Sequence, residues 1–214
     1  MDPGQRWGDG IWAASFPFLS PSASRPLDPG STRCAAGGTA AAMHASTLLR
    51  NATRAAHERV DAAFARFNLA DRDSYAAMLV AHARALPAAE AAMATAPALP
   101  EWRPRTPLLL RDLEDLGQPL PPELPLRVPG GAAGLAGLAY VVEGSRLGGV
   151  YLARQVGQEL PVRYLSAAHG KGEWRALLAW LDRAAELGGP AWIDDALAGA
   201  AAGFALYQQA ADAT

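Results

Sequence analysis

Cysteine is nearly missing from this chain of 214 residues; Cys34 is the only one. A single thiol excludes an internal disulfide and any cysteine cluster around a metal. It suits a reducing compartment, and a cytoplasmic location is the expectation. Lysine is just as scarce: Lys171 stands alone, so arginine carries the positive charge. The net charge of −2 leaves no general basic field, which argues against a nucleic-acid partner. No uninterrupted apolar run reaches the ~18 residues that a membrane span needs. The most hydrophobic stretch, 134–153, carries Glu143 and Arg146 in its middle, so no membrane role is expected. Alternation at period two is absent, and so are internal repeats. No Gly-x-Gly-x-x-Gly follows a strand, which removes a built-in flavin or nicotinamide site.

Residues 1–42 differ from the remainder. They hold Pro3, Pro17, Pro21, Pro26 and Pro29 with many Gly and Ser, and they show no helical period. The reading is a disordered or extraneous tail, with Met43 as an alternative start and a helical domain over 43–214. The apolar stretch "IWAASFPFLSPSAS" lacks a basic leader and is interrupted by Pro17, which argues against an export signal.

From residue 45 the pattern is helical. "STLLRNATRAAHERVDAAFARF" has Ser46 or Thr47 as N-cap and an apolar stripe through Leu49, Ala52, Ala56, Val60, Ala63, Phe64 and Phe67. "DRDSYAAMLVAHARALPAAEAAMATA" opens near Asp71 or Asp73, and Pro87 either kinks it or splits it. "TPLLLRDLEDLG" is a short helix stopped by Gly117, and a Pro-rich loop follows. A glycine-bearing helix covers about 132–158; one more ends at Gly188, and another starts at Pro190. The fold class is all-α, a compact bundle of about six to eight helices.

The first helix holds the sharpest set of side chains. His57 shares the stripe of Leu49, Val60 and Phe64, so its imidazole points inward, and Asp61 follows four residues later on the same face. A carboxylate there can take the N–H of one ring nitrogen and leave the other for a metal. Arg50 lies two turns earlier, about 10 Å along the axis. An iron ligand with a fixed cation at that distance suits a flat anionic macrocycle, with iron on His57 and a propionate near Arg50. A satisfied core histidine between two surface charges is the alternative on this helix alone.

The segment "GLAYVVEGSRLGGVY" poses a separate question. Glycine inside a helix costs roughly 1 kcal/mol relative to alanine, yet Gly144 and Gly148 share a face with Tyr140, and Ser145 sits beside them. Removing two side chains in register lets a second helix, or a planar cofactor, approach the backbone. Arg146 is about 200° around the helix from Gly144. It reads as a solvated charge or a docking residue.

"LRNATRAAHERVDAAF", "DLEDLGQPLP" and "AYVVEGSRLGGVYLAR", in that order and spacing, resemble the bacterial heme oxygenases, including those encoded with bacteriophytochromes. The resemblance covers about residues 45–212. It implies a heme oxygenase-like bundle with heme, both substrate and cofactor, between a proximal and a distal helix. His57 falls on the proximal iron ligand and Asp61 on its hydrogen-bonded acid. Gly144 and Gly148 fall on distal glycines that contact the heme; Arg50 and Tyr140 fall on propionate-binding positions. Where the mammalian enzymes have a distal aspartate, this chain has Ser145, as in the Gly-Ser-type members. Ordered water held by Ser145 and backbone groups would then supply protons.

The implied reaction opens heme to biliverdin, CO and ferrous iron with O2, with the α-meso carbon expected as the point of cleavage. Electrons would come from a ferredoxin, flavodoxin or reductase, and a bacteriophytochrome is a conceivable recipient of the pigment. A noncatalytic heme carrier, or a helical interaction protein of the same fold, is the alternative. His44, His82 and His169 read as structural or exposed. Phe204 and Tyr207 suit either a pocket wall or plain core.

Overall fold

The computed structural model describes residues 44–214, so the expected tail over 1–42 lies outside the described residues. Among these there are five helices and no strand: α1 (Ala45–Phe64), α2 (Arg72–Ala94), α3 (Thr106–Asp115), α4 (Gly131–Ala153) and α5 (Glu173–Asp212). The all-α class is as expected. Two expected interruptions bear on the lower count: Pro87 leaves its helix continuous, whereas the stop at Gly188 and the restart at Pro190 are present as a break at Gly189 inside the range given for α5.

Pro87 is one of them. It has no N–H to give to the carbonyl four residues back, yet α2 continues through it. The Pro-rich segment braces this point, for the Leu124 N–H donates to the Arg84 carbonyl at 2.7 Å. The other interruption lies in α5, where Gly189 has φ 69° and ψ −163°. That region is open almost only to glycine, and it bends α5 while Pro190 restarts the regular part.

Helix starts show where local sequence suffices and where it does not. Asp71 caps α2, its side chain accepting from the Ser74 N–H at 2.9 Å. α1 departs from expectation: its cap position is His44, with no side-chain cap of its own. The cap comes from α5. Asp182 accepts from the Ser46 N–H at 2.8 Å and from the Ser46 hydroxyl at 3.2 Å. The α1 stripe is also rotated slightly. Thr53, not Ala52, is buried, and its hydroxyl is satisfied by the Leu49 carbonyl at 2.7 Å.

α4 runs through the middle, buried almost without a break from Ala133 to Gly149. It packs on the second half of α5 at backbone distance. A Cβ on Gly137 would collide with the Ala196 carbonyl, and one on Gly199 with the Gly134 carbonyl. On its other side Leu138 joins Leu79, Leu86, Leu109 and Leu113, all fully buried. Each such leucine contributes roughly 2 kcal/mol of apolar burial. α1 also packs on α5, so α5 is the common floor from which α1 and α4 rise.

Candidate active site

A mostly apolar cleft opens between α1 and α4. α1 lends it His57, Val60, Asp61 and Phe64, and α4 lends Val141, Ser145, Gly148, Gly149 and Leu152. Met78 and His82 of α2 and Phe204 and Tyr207 of α5 close the back, with Arg105, Tyr164 and Leu165 from the connecting segments.

On the α1 wall, His57 Nδ1 lies 3.2 Å from Asp61 Oδ2. The four-residue spacing on one helix sets this contact. Phe204 meets the imidazole edge-to-face, with centroids 5.5 Å apart. Burial lowers the His57 pKa to about 4 against the opposing pull of Glu58, so the ring is neutral at pH 7. Burial, with Glu58 adding to it, raises Asp61 to about 7. An ionised Asp61 can accept a hydrogen bond from Nδ1–H, which fixes the tautomer of the ring.

The α4 wall carries a buried polar group that the sequence did not announce. Arg105 is only 2% exposed. One guanidinium nitrogen donates to the Val142 carbonyl and to Ser145 Oγ, both at 2.7 Å. Its backbone is fixed by Glu90, whose two oxygens accept from the Arg105 N–H at 2.6 Å and the Thr106 N–H at 3.0 Å. Ser145 Oγ in turn donates to the Val142 carbonyl at 2.7 Å. Its hydroxyl is therefore committed on both sides.

Deeper in, Arg105 lies over the Tyr164 ring, 5.2 Å from its centroid. The Tyr164 hydroxyl meets His82 Nδ1 at 2.8 Å. Burial, aided by Arg105, drops the His82 pKa to about 3. The backbone of Tyr164 is held by the fully buried Asp112, which accepts its N–H at 2.8 Å. Arg163 bridges Asp112 and Asp115 at 2.9 and 2.6 Å. The "DLEDLG" stretch of α3 thus anchors the loop that supplies Tyr164 and Leu165. Two polar atoms of this cleft, Arg105 Nε and the Tyr207 hydroxyl, are buried with no hydrogen-bond partner among the described residues.

Of the residues singled out by sequence, His57, Asp61, Ser145 and Gly148 meet in this cleft. Gly144 is buried on α4 one turn before Gly148. Arg50 is exposed, and Tyr140 is buried beside Trp174 with ring centroids 5.7 Å apart. Neither is in the lining. The two are near each other, since the Arg50 charge acts on the Tyr140 hydroxyl against the dominant effect of burial, which raises its pKa to about 12. Phe204 and Tyr207 do form part of the wall.

One expectation needs correction. Arg146 is not a solvated charge: it is 4% exposed. Its Nε donates to Glu143 at 2.8 Å, and it also reaches the carbonyls of Ala167 and Arg103. His169 takes the structural one of its two readings: its Nε2 lies 3.1 Å from the same Glu143 oxygen. The missed residues, Arg105 and Tyr164, lie in connections without helical period, where no spacing rule aims a side chain. The signal available for Arg146 was its place three residues after Glu143, these two being the sole charges of α4.

No protein-family profile matches the chain. A heme oxygenase of Xanthomonas campestris pv. campestris (strain 8004) is 36% identical over 113 residues, 50% of this chain and 67% of that protein. The crystal structure of the NO- and CO-bound heme oxygenase from Neisseria meningitidis superimposes with a TM-score of 0.68 at 26% identity. It covers 80% of this chain and 92% of that one. The fold and the histidine-facing-glycine cleft define an all-helical protein of the heme oxygenase type. With the identity and coverage above, the chain belongs to the heme oxygenase family. Among the described residues no helix is long and apolar enough to cross a membrane.

Proposed function

We propose that this chain is a heme oxygenase that binds heme in the cleft between α1 and α4. It would open the ring to biliverdin, CO and ferrous iron, using O2 and electrons from a separate ferredoxin, flavodoxin or reductase. The observation that carries this reading is the neutral His57, held by Asp61 and facing an apolar cleft whose opposite wall is the glycine-bearing α4.

The residues suit a planar iron macrocycle. The lining is mostly apolar, one wall offers an imidazole, and Gly148 keeps the other wall low. The unpartnered Tyr207 hydroxyl and Arg105 Nε are polar groups left for water or a bound species to satisfy. Heme, when bound, supplies the iron at which O2 is reduced and the ring edge that is oxidised. The protein's task is placement and proton supply. His57 would hold the iron, and Asp61 would fix the imidazole and its tautomer. Gly144 and Gly148 let the α4 backbone lie close over the ring, which leaves room for a small ligand.

Ser145 is spoken for by Arg105 and Val142, so in this reading water is ordered jointly by Ser145, Arg105 and Tyr207. Tyr207 keeps its proton, because burial raises its pKa well above the ordinary value. Arg50 and the protonated Tyr140, both outside the lining, would clamp the propionates and so fix the rotation of the ring. Opening at the α-meso carbon follows from that seating. The Gly-Ser distal pair and supply of pigment to a bacteriophytochrome belong to this proposal as its narrower form.

The test is a hemin titration followed by ascorbate or a ferredoxin–reductase pair in air. A one-to-one Soret band that decays into a biliverdin spectrum is expected. A stable band defines a heme carrier instead, and no band removes the reading. His57→Ala should lose the native Soret spectrum and regain ligation with added imidazole; an unchanged spectrum in that variant would overturn the ligand assignment.

A further inference from the structure

Behind α4, on the side away from the cleft, lies a second polar cluster that the proposed reaction does not use. Glu143 Oε2 accepts from Arg146 Nε at 2.8 Å and faces His169 Nε2 at 3.1 Å. Glu143 and Arg146 are 5% and 4% exposed. Burial alone would raise the Glu143 pKa, but the hydrogen bonds from His169 and Arg146 outweigh it and hold the carboxyl below its ordinary value. The carboxylate is thus kept charged.

Such a buried pair is a poor device for stability. Desolvation of two charges takes back most of their attraction, and an apolar filling of the same volume generally does as well. An apolar filling cannot do what the Arg146 guanidinium does next. Its two terminal nitrogens reach the carbonyls of Arg103 and Ala167. Arg103 precedes the cleft residue Arg105 by two positions, and Ala167 follows the cleft residue Leu165 by two. One side chain therefore joins three stretches of chain, each of which supplies part of the wall opposite His57. Gly149 completes the seam, since a Cβ there would stand 3.0 Å from the Leu165 carbonyl.

We propose that Arg146, clamped by Glu143, which His169 holds in turn, is a positioning residue: it locks α4, the Arg103–Arg105 segment and the Tyr164–Ala167 loop into one rigid wall over the cleft. It touches no reacting group. Its effect on the reaction rests on the function proposed above; its effect on the wall does not.

Two variants separate position from stability. Glu143→Leu/Arg146→Met replaces the pair by apolar side chains and leaves His169 and the two carbonyls without these partners, so exchange in α2 serves as the control for general stability. Arg146→Lys keeps the charge but lacks the fork that spans separate acceptors. The first readout is hydrogen–deuterium exchange of the unloaded chain. In both variants the amides of 103–109 and 164–168 should exchange about tenfold faster or more, while those of 79–90 in α2 stay as in the wild type. Unchanged exchange at 103–109 and 164–168 would overturn the proposal. A uniform rise that includes α2 would overturn it too, for that marks general loss of stability. The second readout is the hemin complex: a Soret band that keeps its ligation by His57 but broadens, with a mixed set of biliverdin isomers. A variant complex identical to the wild type in band shape and isomers would refute the reach of the wall into the site. If the wild-type chain binds no hemin, the heme oxygenase reading fails while the exchange result still decides the role of Arg146.

Discussion

His82 should make this fold acid-sensitive. Its ring sits among Phe64, Tyr164 and Tyr207, with centroids 4.7, 5.2 and 5.6 Å away, and Nδ1 is engaged by the Tyr164 hydroxyl. Burial and the nearby Arg105 take its pKa from 6.5 to about 3. A folded pKa below the unfolded one means that the unfolded chain takes up a proton first. Stability from neutral His82 is whole above pH 6.5, drains as pH falls, and is gone by about pH 3. Between pH 7 and pH 5 the loss works out at about 2 kcal/mol, at roughly 1.4 kcal/mol per pH unit below the unfolded pKa. The perturbation is His82→Gln, which can still meet the Tyr164 hydroxyl but does not titrate. Its loss of ring packing is the same at both pH values and cancels in the comparison. So do the opposed contributions of His57 and Asp61, which both proteins share. Urea unfolding of wild type and variant at pH 7 and pH 5 gives four free energies. The wild type should lose about 2 kcal/mol more than the variant over that interval. Equal losses would show that His82 is protonated in the folded protein, and the argument from its burial beside Arg105 would fall.

Three further outcomes follow from the geometry. Asp112→Ala should cost about 3 kcal/mol in urea unfolding, since it strands the Tyr164 N–H and frees Arg163; a cost below about 1 kcal/mol would mean that the loop is held elsewhere. Gly137→Ala should destabilise by about 2–3 kcal/mol, because its methyl meets the Ala196 carbonyl where α4 and α5 touch. A neutral result in thermal melting would refute that close approach. Arg50→Leu/Tyr140→Phe should leave the Soret band in place and shift the biliverdin isomers away from α, and chromatography of an unchanged product would remove both residues from the propionate clamp.

Much of the fold was legible because helices write their faces into the sequence. The stripe that aims His57 and Asp61 at the cleft is a matter of four-residue spacing, and the contact at 3.2 Å follows from it. Asp71 as a cap needed only local chemistry. Ser46 did not cap α1, because the capping carboxylate, Asp182, lies 136 positions away. Arg105 and Tyr164 were illegible for a related reason. What aims them are the carboxylates of Glu90 and Asp112 on other helices, and a sequence does not state which carboxylate meets which amide.

Arg146 shows how a correct angle can still give a wrong environment. Placing it on the side of α4 away from Gly144 was sound, and equating that side with water was not. A helix has a solvent face only if something polar covers it, and α4 carries two charges in 23 residues. A helix apolar all round is an interior helix. Opposite charges three residues apart on such a helix then have one economical arrangement, which is to pair with each other and bond the backbone of whatever packs against them. Arg146 does so with Glu143, Arg103 and Ala167. The same reasoning explains why α4 tolerates its glycines. Gly137 faces the carbonyl of Ala196 and Gly149 that of Leu165, so each is occupied by a neighbour's backbone. Gly149 borders the cleft as well, and Gly148 lines it beside Ser145. Helix-to-helix approach and an open ligand wall are thus both built into α4, shared among the glycines of one run.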